Sequence, residues 1–421
     1  MVVKRISIII LICNYFYKFS KGVLSLETKQ SQTLNNLVHL VKNDVVKWRR
    51  FLHQNPELSF HEEKTSQFVY DTLQSFGGLE VSRPTRTSVM ARLIGKQPGK
   101  ILAIRADIDA LPIQEENKFD FVSKTPGAMH ACGHDGHTAM LLGTARILAG
   151  LKEQIIGEVR FLFQHGEETH PGGAGEMVSA GVMEDVDYVI AVHLLPQIEV
   201  GKIGIIYGPM TASSDGFNLT IHGKGGHAAL PHQTIDSIAV AAQVVTNLQH
   251  IVSRCNDPLD STVISITQFT GGTEFCVIPS SVQVVGWIHT LNPEFRKGLP
   301  ALLEKVIKGI TEAHSATYAF QYVPGYDIVI NDEQVTKVIE ETVCEVLGEE
   351  ALERRRPIMA GDDFSAFQQK APGTYFWVGA GNQQKGITNP LHHPQFTIDE
   401  DALENGVKMF VHSTFKLLSQ S

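Results

Sequence analysis

The sequence predicts an α/β protein: a mostly parallel sheet with a smaller α+β domain inserted into it. Three observations carry this reading. From about residue 32 to 210, apolar strands alternate with amphipathic helices, the pattern of a sheet covered on both faces. From 211 to 325 the strands switch to in–out alternation, which fits antiparallel pairing with one wet face. After 325 the chain returns to helix, loop and apolar strand. Its 421 residues also exceed what one hydrophobic core usually serves.

Taken in order, Lys4 and Arg5 precede the apolar run ISIIILIC, so residues 1–28 resemble the basic and hydrophobic regions of a secretory signal. The run is too short to span a bilayer. The expectations are export or membrane association, or an unprocessed hydrophobic extension on a cytoplasmic protein. Residues 32–54 read as a helix, with Leu37, Val41, Val45, Trp48 and Leu52 near a 3.6-residue period. HEEKTSQFVYDTLQSFG reads as a second helix, closed by Gly77 and Gly78. ARLIG, KILAIRADI, EVRFLFQ and DYVIAVHL read as strands, and residues 136–150 as a helix that Asp135 would cap.

The first half of the larger domain is thus 29–210. In the insertion, SDGFNLTIHG, STVISITQFTGG, SSVQVVGWIHT and TYAFQYVPGY are four alternating strands. A helix over 234–254 and a second, LPALLEKVIKGITEAHSA, complete a four-stranded antiparallel sheet with two helices on one side. Residues 326–421 finish the larger domain, with GTYFWVGAG as its last apolar strand.

Composition excludes several classes of function. A formal net charge of −9 with no long basic run argues against nucleic acid as a partner. The five cysteines are scattered, so there is no disulfide framework, and no C-x-x-C pair suggests a zinc finger.

The chemistry gathers at predicted strand ends, where open α/β sheets bind ligands. Asp107 and Asp109 follow KILAIRA, Glu167 and Glu168 follow EVRFLFQHG, and His193 closes DYVIAV. Cys132 and His134 lie in AMHACGHDGHTAML, just before a helix, and His392 lies in the late stretch NPLHHPQF. Thiol and imidazole donors suit zinc, iron, manganese or cobalt rather than magnesium or calcium. One ion takes about four ligands, and Cys132, His134, Glu168, His193 and His392 exceed that, enough for two ions sharing a thiolate or a water. Side-chain alternation in an extended segment lets one glutamate of the doublet bind metal while the other acts as general base.

Blander readings stand beside this one. His137 packs on its helix, His130 is structural or supports a ligand, and Cys132 is a buried small hydrophobe. A rival chemistry makes Cys132 a nucleophile with His134 or His193 as its base.

The motifs HACGHDGHTAML, RADIDALPI, HQNPELSFHEEKTS, GEETHPGGA and HGKGGHAALPH resemble those of hippurate hydrolases, N-acyl-amino-acid amidohydrolases and plant auxin–amino-acid hydrolases. These belong with the aminoacylase and carboxypeptidase-type dinuclear metallopeptidases. The similarity runs from about 35 to 415.

The resemblance implies a catalytic domain with a lid that dimerises, a small N-acyl amino acid as substrate, and two divalent ions (manganese, zinc or cobalt). It implies Cys132, His134, Glu168, His193 and His392 as ligands, Glu167 as base, and Asp109 as the residue that orients His134. His227 in the lid would hydrogen-bond the substrate carbonyl, in some relatives across the subunit boundary. The chain departs from the pattern at Cys276 (usually asparagine), Trp287 (threonine), His289 (arginine) and Asp362 (glutamate). The lid changes would exchange a permanent cation for a group titrating near neutrality. The alternatives implied are a metal-containing binder of acyl conjugates without turnover, and a dipeptidase or deacetylase of the same fold.

Overall fold

The computed structural model describes residues 31–420; the hydrophobic segment 1–28 lies outside the described residues. Among the described residues no helix is long and apolar enough to cross a membrane.

The larger unit is an eight-stranded sheet. Its four central strands, in spatial order Ile156–Gln164, Gln97–Asp107, Tyr188–Glu199 and Gly373–Gly381, all run parallel. Short strands add antiparallel pairings toward both edges, so the sheet is mixed and mostly parallel. Period-two alternation divides each central strand between two cores. Leu102, Ile104 and Ala106 join one apolar cluster, and Ala103 joins the other. The first face is covered by the helix over 31–54 and by Glu63–Phe76, His134–Gly150, Glu333–Val346 and Asp401–Ser419. The opposite face carries only the short helices Ala174–Ser179 and Ser365–Gln368.

The smaller unit is a four-stranded antiparallel sheet, in the order Thr262–Thr270, Ser281–Thr290, Ser214–His222 and Thr317–Tyr326. Helices Ser237–His250 and Pro293–Ala313 pack on one side of it, around Phe217, Leu219, Val244, Leu248, Leu303 and Ile307.

Three helix boundaries differ from the sequence reading. The first helix of the smaller unit starts at Ser237, because Asp236 accepts the Ile238 and Ala239 N–H groups, and it ends in a π-turn over Ile251–Cys255. The second starts at Pro293, well before LPALLEK. Asn292 caps it through Glu294 and Phe295, and Pro293 fills the first position, where no N–H is needed. Those two signals outweigh the bond that Pro300 removes inside it.

The helix after CG begins at His134, not Gly136, because Gly133 supplies the left-handed turn (φ 95°) before it. Asp135 is therefore not its cap. It lies inside the first turn, and its carboxylate accepts from buried Arg49 Nε at 2.8 Å and lies 2.8 Å from His53 Nδ1.

Candidate active site

The carboxyl ends of the central strands bring the reactive side chains together. Asp107 pairs in register with Gln164, and His193 with Trp377. The turn at Gly133 sets the two donors just before and after it, Cys132 and His134, at the same end of the sheet.

His134 and His193 each have one nitrogen tied back and the other left toward the cluster. His134 Nδ1 faces two acceptors, the Asp109 carbonyl at 3.0 Å and carboxylate at 3.1 Å, so it carries the proton. Its Nε2 is buried without a hydrogen-bond partner, 3.8 Å from Glu168 Oε1. That Glu168 oxygen is itself buried and unpartnered, and lies 3.4 Å from His392 Nε2. His193 donates from Nδ1 to the Leu194 carbonyl at 2.8 Å, and its Nε2 is 3.4 Å from Cys132 Sγ.

His392 sits at φ 65°, a conformation few non-glycine residues adopt, and its N–H donates to the Ala131 carbonyl at 2.8 Å. That bond pins the late loop to the Cys132 loop.

The donor atoms fall into overlapping groups, each within 4.8 Å: Cys132, His134 and His193; Cys132, Glu168 and His392; and His134, Glu167 and Glu168. Two unpartnered buried atoms, two outward lone pairs and a thiol common to two of the groups fit a pair of cations sharing Cys132. The electrostatics agree. Burial, then Glu168 and Glu167, hold the Cys132 thiol well above its usual range. Burial lowers His134, but Asp107 and Asp109 overcome it and lift His134 to about 10. Excess negative charge of this kind is what a divalent ion neutralises, and an adjacent ion would also ionise the thiol.

A second layer, little of which the sequence disclosed, holds these groups. Arg105 is fully buried. It donates to Gln164 at 2.7 Å, Asp107 at 2.6 Å, Asp363 at 3.0 Å and Asp362 at 3.3 Å. Alternation along R-A-D-I-D was the available signal, since it sets Arg105, Asp107 and Asp109 on one side of the strand.

His137 does more than pack. Its Nδ1–H donates to Asp107 at 2.6 Å and its Nε2 accepts the Leu194 N–H at 2.9 Å, so both nitrogens are occupied. His130 is buried with neither nitrogen hydrogen-bonded, and burial lowers it to about 4.

Glu167 lies beside Glu168, and its carboxylate groups with those of Asp362 and Asp363. Burial raises it well above the carboxylate range. Asp362, Glu168 and Asp363 raise it further, and Arg105 opposes them. Its backbone carbonyl accepts the Tyr326 hydroxyl at 2.7 Å. Asp362 accepts the Phe364 N–H at 2.8 Å and forms part of the cavity wall.

A cavity of about 160 Å³ joins these groups; Cys132, Glu167, Glu168, His193, Asp362 and His392 line it with Thr211, Tyr326, Tyr375 and His170. His227 is not among the lining residues. It lies exposed on a two-stranded ribbon, paired with Val277, and its Nδ1 accepts the Ala229 N–H. Cys276, just before the facing strand Val277–Ile278, is also exposed.

Trp287 packs against His170 at 5.0 Å. His289 is no substitute cation: burial lowers its pKa, and its Nδ1–H is spent on the Ser213 carbonyl at 3.0 Å.

A parallel-centred α/β sheet with a paired donor cluster and a buried perturbed glutamate defines a metal-dependent hydrolase of amide bonds. Residues 103–415 match the family model described as peptidase family M20/M25/M40, and the chain belongs to that family. It is 63% identical over 300 residues to an N-acyl-L-amino acid amidohydrolase of Geobacillus stearothermophilus, covering 71% of this chain and 81% of that one. It is 36% identical over 388 residues to the IAA-amino acid hydrolase ILR1-like 4 of Arabidopsis thaliana, covering 90% and 88%. A Bacillus subtilis crystal structure described as a dinuclear metal-binding peptidase from the M20 family superposes with a TM-score of 0.81 at 34% identity. The match covers 91% of this chain and all of that one.

Proposed function

We propose that this hydrolase cleaves the amide bond of small N-acyl amino acids, with Glu167 as general base and then general acid. The observation that carries the reading is the position of Glu167, a buried carboxyl beside the donor cluster, in one cavity with Cys132, Glu168, His193 and His392. Cys132, His134, Glu168, His193 and His392 are the residues that would hold two divalent ions. When bound, such ions polarise the amide carbonyl and acidify a water. Mixed sulfur, nitrogen and oxygen donors favour manganese, zinc or cobalt.

Glu167 takes the proton of the attacking water and delivers it to the departing amine. The environment that raises its proton affinity suits both halves of that task. Asp109 fixes the His134 tautomer, and Asp107 does the same for His137. The rival Cys132 nucleophile is disfavoured, because a thiol held protonated by burial and carboxylates is a poor attacker.

We place the lid at residues 211–325, between catalytic halves 29–210 and 326–421. We assign it a second role in pairing two copies, so that His227, outside its own cavity, serves the partner's carbonyl oxygen. Exposed Val263 and Phe269 on the outer strand, and Phe275 and Val277 by the ribbon, supply apolar surface for that contact.

The deciding experiment incubates the metal-loaded protein with N-acetyl, N-benzoyl and indole-acetyl amino acids, with zinc, manganese and cobalt in turn, and reads free amine. Release that chelation abolishes and metal restores is expected. Release that survives chelation would point to Cys132, and no release across the panel would defeat the reading.

A further inference from the structure

We propose that Thr211 is a specificity residue, whose hydroxyl binds the carboxylate of the substrate's amino-acid half. The inference rests on the hydrolase reading above. An N-acyl amino acid carries a free carboxylate at neutral pH, and the site must hold it. Among the described residues lining the cavity there is no lysine or arginine. In the smaller unit, His289 is committed to the Ser213 carbonyl at 3.0 Å. Recognition through a fixed ion pair is therefore not built into this cavity, and neutral donors remain.

Two lining residues keep buried hydroxyls without a hydrogen-bond partner, Thr211 and Tyr375. An unpartnered buried hydroxyl is costly unless a ligand satisfies it. Position separates the two. Tyr375 packs against His193 and Phe364, and burial and the carboxylates of Asp362, Asp107 and Glu167, opposed by Arg105, favour its protonated hydroxyl. Thr211 ends the strand Gly208–Thr211, on the wall made with Ile358 and Gly361, where the chain crosses into the four-stranded layer. The wall is bare at Gly361, since a side chain there would collide with the Ser214 hydroxyl. The Thr211 hydroxyl is the unpartnered donor on that wall, and a carboxylate seated there would satisfy it.

The test compares wild type, Thr211→Val and Thr211→Ser on N-acetyl-L-alanine and N-acetyl-L-alaninamide, read by acetate release. Removing the hydroxyl while keeping the shape should raise KM for the acid about tenfold, with kcat far less affected. The preference for acid over carboxamide should then fall by about the same factor, and serine should restore most of it. An unchanged preference in the valine variant, or an equal fall in kcat on both substrates, would overturn the assignment.

Binding separates this claim from the hydrolase reading. N-acetyl-L-alanine is titrated calorimetrically into metal-loaded Glu167→Gln protein with and without Thr211→Val. About tenfold weaker binding in the double variant supports the assignment, and equal affinity overturns it even if wild type turns substrate over. Absence of turnover by wild type on any acyl amino acid defeats the hydrolase reading instead.

Discussion

The segment over 130–137 and the ribbon over 226–227 are both short, glycine-bearing and histidine-bearing, yet the molecule treats them in opposite ways. Every residue of the segment is buried, and Cys132, His134, Asp135 and His137 are each tied to a neighbouring side chain or backbone group. On the ribbon, the His227 side chain is exposed and accepts one bond, from the Ala229 N–H, while its backbone pairs with Val277 and accepts the Leu230 N–H. Groups that must hold a fixed geometry are fixed by burial and by second partners.

The sharpest way to break this contrast is at the base. Glu167→Gln should lower kcat by about 10²–10⁴-fold, the usual worth of a general acid–base group, with metal content by elemental analysis near that of wild type. Activity within tenfold of wild type would show that burial beside the donors does not mark the base.

The clasp at the foot of the four-stranded layer comes next. Arg296 donates two bonds of 2.8 Å to fully buried Asp215. Arg296→Ala should cost about 3 kcal/mol in denaturant unfolding, since it strands a buried carboxylate. Burial raises the Asp215 pKa, but Arg296 and the Gly325 N–H outweigh it and hold it below the ordinary value. The clasp's contribution is therefore complete above the unfolded carboxylate pKa of about 3.9 and fades as pH falls through the lower folded value. The stability gap between wild type and Arg296→Ala should narrow in acid; a gap that widens below about pH 4 would contradict this sign.

Asp109→Ala should weaken metal affinity about 10–100-fold by freeing the His134 ring, measured by competition with a chelator. The smallest effect belongs to the ribbon: Cys276→Ser should change stability by less than about 0.5 kcal/mol. A larger loss at this exposed position would show that the ribbon is not the open surface described.

Much of the fold and cluster was readable because it rests on short-range signals. The central strands announced themselves as apolar runs ending in Asp107 and Gln164, and the donors sat at those ends or in the loop before a helix. What was hidden depends on long-range pairing or backbone geometry. Arg105 reads as an ordinary strand residue until the fold brings Asp362 and Asp363, some 257 positions away, against it. The helix start at His134 depends on the left-handed turn at Gly133, which leaves the aspartate that resembles a cap free for Arg49. The second helix of the smaller unit read as starting at Leu299, whereas Asn292 and Pro293 set it earlier. The resemblance implied a substrate-contacting position at His289, but the sequence could not reveal the Ser213 carbonyl that occupies its Nδ1.

The hydroxyl of Tyr326, at the last residue of the four-stranded sheet, grips the main chain of Glu167. The strand that carries it is thus mechanically joined to Glu167. Any displacement of that sheet would pull on the very peptide unit from which the Glu167 carboxyl projects, so the two cannot shift independently while the bond lasts.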